Sequence, residues 1–211
     1  MKLYFKSIFY LVLAVAFSSA NAGAYEDFFR AVNVDNAGTV SELLARGFDP
    51  NAPDERGQVA LYLAMRDDSP KVAAVLLAQT ALRADTANAA GETPLMMAAL
   101  RGRLEWIGPL IERGGQVRRD GWTPLHYAAS GPDARIVGLL LDRGAAIDAA
   151  SPNRSTALMM AARYGDEASA QLLITRGADA KLRNDKGLSA ADFARLGGRE
   201  ALAARLDKLA Q

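Results

Sequence analysis

One short phrase recurs along the chain, and its spacing limits the possible folds more than any other feature. It reads GETPLMMAALRG from Gly91, GWTPLHYAASGP from Gly121 and RSTALMMAARYG from Arg154. With Gly57 and Gly187 as the corresponding outer positions, the successive gaps are 34, 30, 33 and 33 residues. A period near 33 residues is typical of stacked helical hairpins. Because one such unit is too small to bury its own apolar face, the units must stack into an elongated solenoid.

Each unit contains the pattern of two helices. In the third unit, Thr93 is a suitable cap and Pro94 a suitable first residue for a helix that ends near Gly102. A second amphipathic segment begins at Leu104 and stops at Gly114. The sequence therefore predicts an all-α fold of repeated hairpins.

The segment from Gly121 to Ala149 resembles the ankyrin repeat. The residues that carry the resemblance, in family order, are Thr123-Pro124-Leu125-His126, Ala128-Ala129, Leu139-Leu140-Leu141, Gly144-Ala145 and Ile147-Asp148-Ala149. The resemblance implies a solenoid of helix-turn-helix units joined by short hairpin fingers. Counting a cap at each end, about six units are expected, at 24–56, 57–90, 91–120, 121–153, 154–186 and 187–211.

The third unit is irregular in two ways. Its gap is three residues short, and the deletion falls in GGQVRRDGW, which predicts a short finger. Its second helix also contains Gly108-Pro109, and a proline inside a helix costs about 3 kcal/mol and favours a kink. Neutral drift in a tolerant outer helix and a shaped notch in the stack are both compatible with this pattern.

The N-terminal segment has the features of a secretory signal peptide. Lys2 and Lys6 precede an apolar run from Ile8 to Phe17, and Ala20-Asn21-Ala22 is a suitable cleavage site. The apolar run is much shorter than the roughly 20 residues that span a bilayer. We therefore expect residues 1–22 to be removed, leaving a single domain at 23–211 in the periplasm or outside the cell, with no membrane contact.

Composition disfavours several classes of function. Of 25 basic and 24 acidic residues, the signal peptide removes only Lys2 and Lys6, so the mature chain has a formal charge of −1. Nonspecific nucleic-acid binding requires a dense basic surface, and this balance disfavours it. The chain has no cysteine, which excludes disulfides and thiol chemistry. Its stability must come from packing.

The sequence offers no convincing catalytic, metal or cofactor site. His126 is the sole histidine, and the resemblance implies that it hydrogen-bonds backbone between units, with Thr93, Thr123 and Thr156 in structural capping roles. Adjacent acidic pairs do not converge on one point along a helix. The methionine pairs at 96–97 and 159–160 occupy matched positions, which favours core packing over metal binding. We expect no cofactor and no enzymatic activity.

By resemblance, ankyrin stacks recognise other proteins through the fingers and the exposed side of each first helix. The residues of this chain at those positions are Trp122, Tyr164, Arg101, Arg163, Arg118, Arg119, Arg66 and Glu92. Trp, Tyr and Arg are enriched at the energetic centres of interfaces. We predict a protein-binding groove centred on Trp122 and Tyr164 that favours an acidic partner segment. The alternative is that Trp122 packs on the next finger and the arginines are merely solvated.

The sequence thus resembles exported bacterial ankyrin-repeat proteins, and the first hypothesis is a monomeric adaptor that binds a periplasmic protein. The resemblance extends to proteins that support stress-defence enzymes. One alternative is an immunity or inhibitor protein that blocks a toxin or hydrolase in the same compartment. Another is a secreted effector that binds host proteins. The identity of the partner is not encoded in the repeat framework.

Overall fold

The computed structural model describes residues 23–211, and the predicted signal peptide at residues 1–22 lies outside the described part. Twelve helices lie within residues 23–211 and pair into six hairpins. They are α1 (23–33), α2 (Ala37–Ala45), α3 (Ala60–Asp67), α4 (Pro70–Leu77), α5 (Pro94–Leu100), α6 (Leu104–Glu112), α7 (Pro124–Ser130), α8 (Ala134–Asp142), α9 (Ala157–Arg163), α10 (Glu167–Thr175), α11 (Ala190–Leu196) and α12 (Glu200–Leu209). Each helix is short, so tertiary packing rather than intrinsic propensity must hold it.

The hairpins stack in two rows. The first helices of successive units, α3, α5, α7, α9 and α11, pack on one another and form the inner row. In the outer row, α2 packs on α4, and α8 packs on both α6 and α10. Alanine pairs such as Ala98-Ala99 and Ala128-Ala129 are fully buried in the inner row, where their small side chains allow close helix approach. Leu110, Leu140 and Leu173 of the outer row are also fully buried, and each such leucine stabilises the fold by about 1.5–3 kcal/mol.

Three glycines allow the inner helices to end against the backbone of the preceding unit. A Cβ added at Gly131 would lie 2.8 Å from the carbonyl oxygen of Ala99, and one at Gly197 would lie 2.9 Å from that of Arg163. A Cβ at Gly165 would overlap the carbonyl oxygen of Ala129. Because real side chains do not tolerate such contacts with backbone, these positions set the spacing between units.

The finger between α6 and α7 differs from the others. It has eleven residues (113–123), whereas the connections before α3, α9 and α11 have fourteen each. The other fingers are closed by a backbone hydrogen bond between positions four apart, with donor and acceptor residues 54 and 58, 88 and 92, 151 and 155, and 184 and 188. No such bond is present in residues 113–123.

The open finger also differs in the side chain at the donor position of the closing bond. At that position in three other fingers, the Oδ1 atom of Asp54, Asn88 or Asn184 accepts two backbone N–H groups of the turn. The fourth closed finger has Ser151 there, whose hydroxyl donates to Asn153, so such an acceptor accompanies closure but is not required for it. Arg118 occupies that position in the short finger, and a guanidinium group has no acceptor. The short finger predicted from the spacing is therefore also an open one.

Helix α6 continues through Pro109 from Leu104 to Glu112 as one uninterrupted helix. The residue before a proline is normally kept out of the helical region by a clash with its Cβ. Gly108 has no Cβ, and its position in the fold leaves open space around it. The Gly-Pro pair is thus compatible with a helix that is not interrupted at the position of the predicted kink.

Candidate functional site

A cleft of about 190 Å³ lies on the exposed side of the inner helices. Three successive units build it: Leu100 stands at the end of α5, Ser130 at the end of α7, and Met160 on α9. The complete lining is Leu100, Trp122, His126, Tyr127, Ser130 and Met160. The predicted groove residue Trp122 therefore does line a concave site. Met160, which the sequence assigned to core packing, is partly exposed in the wall of this cleft, while Met159 beside it is buried.

Trp122 is only partly exposed. Its ring meets the His126 ring edge to face, with centroids 5.3 Å apart and planes at 78°. This contact holds the indole against its own unit and leaves the remainder of the ring in the cleft. The ring thus packs on His126 of its own unit, and not on the next finger as the alternative had it, and it also lines the cleft.

His126 connects two units from a buried position, where its side chain is 1% exposed. Its Nδ1 accepts a hydrogen bond from the Thr123 backbone N–H at 3.2 Å and lies 2.8 Å from the Thr123 hydroxyl. Its Nε2 contacts the carbonyl oxygen of Ser155 in the next unit at 3.0 Å. The network assigns the neutral tautomer with the proton on Nε2. Burial lowers the pKa of His126, and it outweighs the backbone hydrogen bond to Ser155, which raises that pKa.

Glu92 lies at the centre of a hydrogen-bonded bridge over three units. The hydroxyl of Tyr62 donates to one carboxylate oxygen at 2.7 Å, and the hydroxyl of Tyr127 donates to the other at 2.9 Å. The Asn88 amide also donates to this carboxylate, at 2.9 Å. Partial burial raises the pKa of Glu92, but these hydrogen bonds outweigh it and leave the pKa below its ordinary value. Glu92, predicted as a partner contact, is a carboxylate already satisfied within the chain.

Two of the predicted arginines, at the ends of α5 and α9, have no acidic partner within residues 23–211 and do not line the cleft. Arg101 is exposed directly after Leu100, and its Nε donates to the carbonyl oxygen of Arg66 at 3.1 Å. The Arg163 guanidinium lies 4.9 Å from the centroid of the Tyr164 ring, a cation–π contact, and that ring is 54% exposed. Within residues 23–211, no carboxylate forms an ion pair with Arg101 or Arg163.

The other three predicted arginines are engaged within the fold. Arg66 binds both carboxylate oxygens of the neighbouring Asp67, at 2.7 and 2.6 Å, and the amide of Gln58. Arg119 lies 3.7 Å from the carboxylate of Asp85, and Arg118 donates to the carbonyl oxygen of Gly144. Arg118 and Arg119 line a second cavity of about 420 Å³, between the short finger and the next one, and not the cleft of Trp122.

The three predicted capping threonines are buried at the starts of inner helices. Thr93 Oγ1 accepts from the Met96 backbone N–H at 3.3 Å, and Thr156 Oγ1 accepts from that of Met159 at 3.4 Å. The third, Thr123, contacts His126 as described above. These side chains hold helix ends that would otherwise leave backbone donors without partners.

The described residues contain no arrangement suited to catalysis by a histidine or a metal. Both ring nitrogens of His126 are occupied by structural partners. Residues 23–211 also contain no group of three or more ligating side chains placed to hold a metal ion. In the same range, every helix is too short or too polar to cross a bilayer. What the surface offers is a mainly apolar cleft, with two arginines at the ends of the helices that form its walls.

The bridge through Glu92 was not anticipated from the sequence. Tyr62 and Tyr127 occupy different positions in their repeats, three and four residues after the helix cap, so the repeat pattern does not pair them. The sequence did contain one indication of the bridge. Glu92 is the only acidic residue at a position that the other units fill with Gln58, Trp122, Ser155 and Leu188. A single acid among five equivalent positions indicates that its carboxylate has a specific hydrogen-bonding partner.

The helices and their stacking define a helical repeat protein with a cleft on its inner helices. The family model described as ankyrin repeats, in three copies, matches residues 28–119 and 110–184. The chain belongs to the ankyrin-repeat family. The predicted all-α ankyrin solenoid is thereby confirmed, and protein–protein interaction is the general function of such repeats.

The similarity to curated relatives is confined to a part of their length. Human ankyrin repeat and KH domain-containing protein 1 is 41% identical over 100 residues, which are 45% of this chain and 4% of that protein. The B-cell lymphoma 3 protein homolog of Mus musculus is 32% identical over 149 residues, which are 67% of this chain and 33% of that protein. The chain thus spans a third or less of these relatives.

One solved structure is similar over almost its whole length. It is a chain from the complex of a predatory endopeptidase with an immunity protein from Bdellovibrio bacteriovorus. The TM-score is 0.74 and the identity 28%, with 86% of this chain and 97% of that chain covered. The similarity extends over most of the solenoid and is not limited to one repeat.

Proposed function

We propose that this protein is an exported ankyrin-repeat adaptor that binds a protein partner in the periplasm through its concave surface. The observation that carries the proposal is the cleft beside Trp122, where an aromatic wall is combined with Arg101 and Arg163, which no internal acid neutralises. Aromatic and arginine side chains at the centre of an open surface are typical of binding hot spots. The signal-peptide pattern supports the compartment.

A pull-down from a periplasmic extract tests the proposal. The bait is the mature chain, run beside a Trp122→Ala, Tyr164→Ala double variant and a control with Arg205→Ala, a substitution on the outer helix α12. We expect one protein to be retained by the mature chain and by the control, and lost with the double variant. Hot-spot truncation costs about 2 kcal/mol or more. Equal retention by all three baits would refute the concave surface as the binding site.

A second candidate function is inhibition of a hydrolase in the manner of an immunity protein. The observation that favours it is the structural similarity to a chain from an endopeptidase–immunity protein complex, since 97% of that chain is covered. An inhibitor and an adaptor can use the same scaffold and the same surface. They differ in what happens to the activity of the partner.

Enzyme assays with the captured partner separate the two candidates. An immunity protein would abolish the partner's hydrolase activity at a 1:1 ratio, and the double variant would restore that activity. An adaptor would leave activity intact and alter the partner's stability or location. If the captured partner is not a hydrolase, the immunity candidate fails and the adaptor candidate stands.

A further inference from the structure

We infer that the cleft receives one large apolar side chain of the partner, Leu, Met or Phe, and that Arg101 and Arg163 bind a carboxylate next to it in the partner's sequence. This inference rests on the proposed function and specifies the chemistry of the segment that is recognised. The recognised ligand is an exposed segment of another protein in which an apolar side chain and an acidic residue are adjacent.

The apolar part follows from how the polar atoms of the lining are used. Both nitrogens of His126 are occupied, the hydroxyl of Ser130 donates to the His126 carbonyl oxygen at 3.0 Å, and that of Tyr127 donates to Glu92. The remaining lining is Leu100, Met160 and Trp122. The indole N–H of Trp122 is the one lining donor without a partner within residues 23–211, so most polar groups placed in the cleft would lose their own hydration without compensation.

The size of the cleft limits the occupant to one side chain. Its volume is about 190 Å³, whereas an apolar cavity of about 150 Å³ holds one benzene molecule. A phenyl ring or a branched aliphatic chain therefore fits, and two do not. An aromatic or thioether occupant would also gain contact with the Trp122 ring.

The acidic part follows from the distribution of charge around the cleft. Arg66 and Arg103 on the same surface are paired with Asp67 and Asp68. Arg101 follows Leu100 directly at the end of α5, and its Nε donates to the carbonyl oxygen of Arg66 without an ion pair to any carboxylate within residues 23–211.

On the opposite side, Arg163 lies three residues after Met160, on the same face of α9. Cations without an ion pair in residues 23–211 thus stand at the ends of α5 and α9, the two helices that supply Leu100 and Met160 to the cleft. The nearby carboxylate of Glu92 is occupied by two tyrosines and an amide, which leaves the cations for an acid of the partner.

The test uses a phage-displayed library of short random linear peptides selected on the mature chain. We expect enriched peptides to contain Leu, Met or Phe next to Asp or Glu. Ser130→Phe should fill the cleft and weaken binding of synthetic hits about tenfold or more, while Ser130→Ala, which adds no volume, should change it less than about threefold. Leu100→Trp serves as a second filling variant if Ser130→Phe does not fold, as judged by circular dichroism.

The charges are tested on the same peptides. Arg101→Gln combined with Arg163→Gln should weaken binding about tenfold and abolish the preference for Asp or Glu over Asn or Gln in the peptide. Arg205→Gln, on an outer helix, is the control and should have no effect.

The outcomes distinguish this inference from the proposed function. Hits without an apolar–acidic pair, hits that tolerate a folded filling variant, or the absence of any hit would each overturn the inference. Binding that is nevertheless lost with Trp122→Ala and Tyr164→Ala would leave the proposed concave surface intact. That surface has its own test in the periplasmic pull-down, which does not depend on any peptide.

Discussion

Lowering the pH from neutral should weaken the fold through the side chain of His126. The sequence contains one histidine, and in the structure it is buried and neutral. Its Nδ1 faces the backbone N–H of Thr123, so protonation there would bring two donors together. Burial lowers its pKa from the ordinary value of 6.5, and the native state therefore resists the proton that the unfolded chain accepts.

The sign and size of the effect follow from proton linkage. A native pKa below the unfolded one means that the stabilisation is fully present above the unfolded pKa and is lost as the pH falls towards the native pKa. If the native imidazole stays neutral throughout, the free energy of unfolding should fall by about 1.4 kcal/mol between about pH 7.5 and about pH 5.5. A native pKa inside that window would make the loss smaller.

Urea unfolding of the mature chain, followed by circular dichroism at both pH values, measures this loss. The matched control is His126→Leu, which removes the titrating group and keeps a side chain of similar size. This variant should be less stable at every pH by about 1–3 kcal/mol, because the Thr123 N–H loses its partner. The Ser155 carbonyl oxygen retains a second donor, the Ser151 N–H at 3.0 Å, so its loss contributes less.

The decisive quantity is the difference between the two pH dependences. Carboxyl groups contribute equally in both chains, because the substitution does not change the acids, and they cancel in the comparison. A His126→Leu variant whose stability falls as steeply as that of the original chain would refute the assignment of a neutral, buried imidazole. A histidine that stabilises the fold more strongly at the lower pH would refute it as well.

Two further predictions concern glycines and the Glu92 bridge. Gly165→Ala should destabilise the fold by about 3 kcal/mol because its Cβ would overlap the Ala129 carbonyl oxygen, whereas Gly138→Ala, in a helix interior where the Cβ meets only ordinary contacts, should stabilise it by about 0.5–1 kcal/mol. Thermal unfolding measures both, and shifts of equal sign would contradict the packing argument. Tyr127→Phe should raise the pKa of Glu92 and cost about 1 kcal/mol, read by a carboxyl NMR titration and urea unfolding; an unchanged titration would contradict the bridge.

Much of the fold could be predicted because the same structural residues recur at the same positions in several repeats. Thr93 and Thr156 recur at the same place in the phrase, and both accept a backbone N–H at a helix start. The shortened finger was visible as a missing three residues, and its length in the structure agrees. Its open conformation did not follow from the residue types alone, because Arg118 replaces the Asp or Asn of three closed fingers while the fourth closes with Ser151.

The candidate site could be predicted only in part. The repeat pattern gives the positions of the groove residues, but it does not give the contacts that their side chains make. The resemblance indicated which residues should face the groove, and of these Trp122 lines the cleft. It could not indicate which of them the chain itself would engage. Arg66 has an acid beside it in sequence, but the partner of Arg119 is Asp85, on the preceding finger, and such pairings depend on the distance between units.

The same dependence on spacing explains why most of the residues that line the cleft were not predicted. Its walls come from Leu100, Ser130 and Met160, which are about one repeat apart, so its width is the distance between neighbouring inner helices. That distance is set where Gly131 and Gly165 contact the preceding backbone. A larger residue at either glycine would separate the units and widen the cleft, although neither glycine lines it. The framework and the recognition surface are therefore coupled, and substitutions that affect only packing should also change which side chain the cleft accepts.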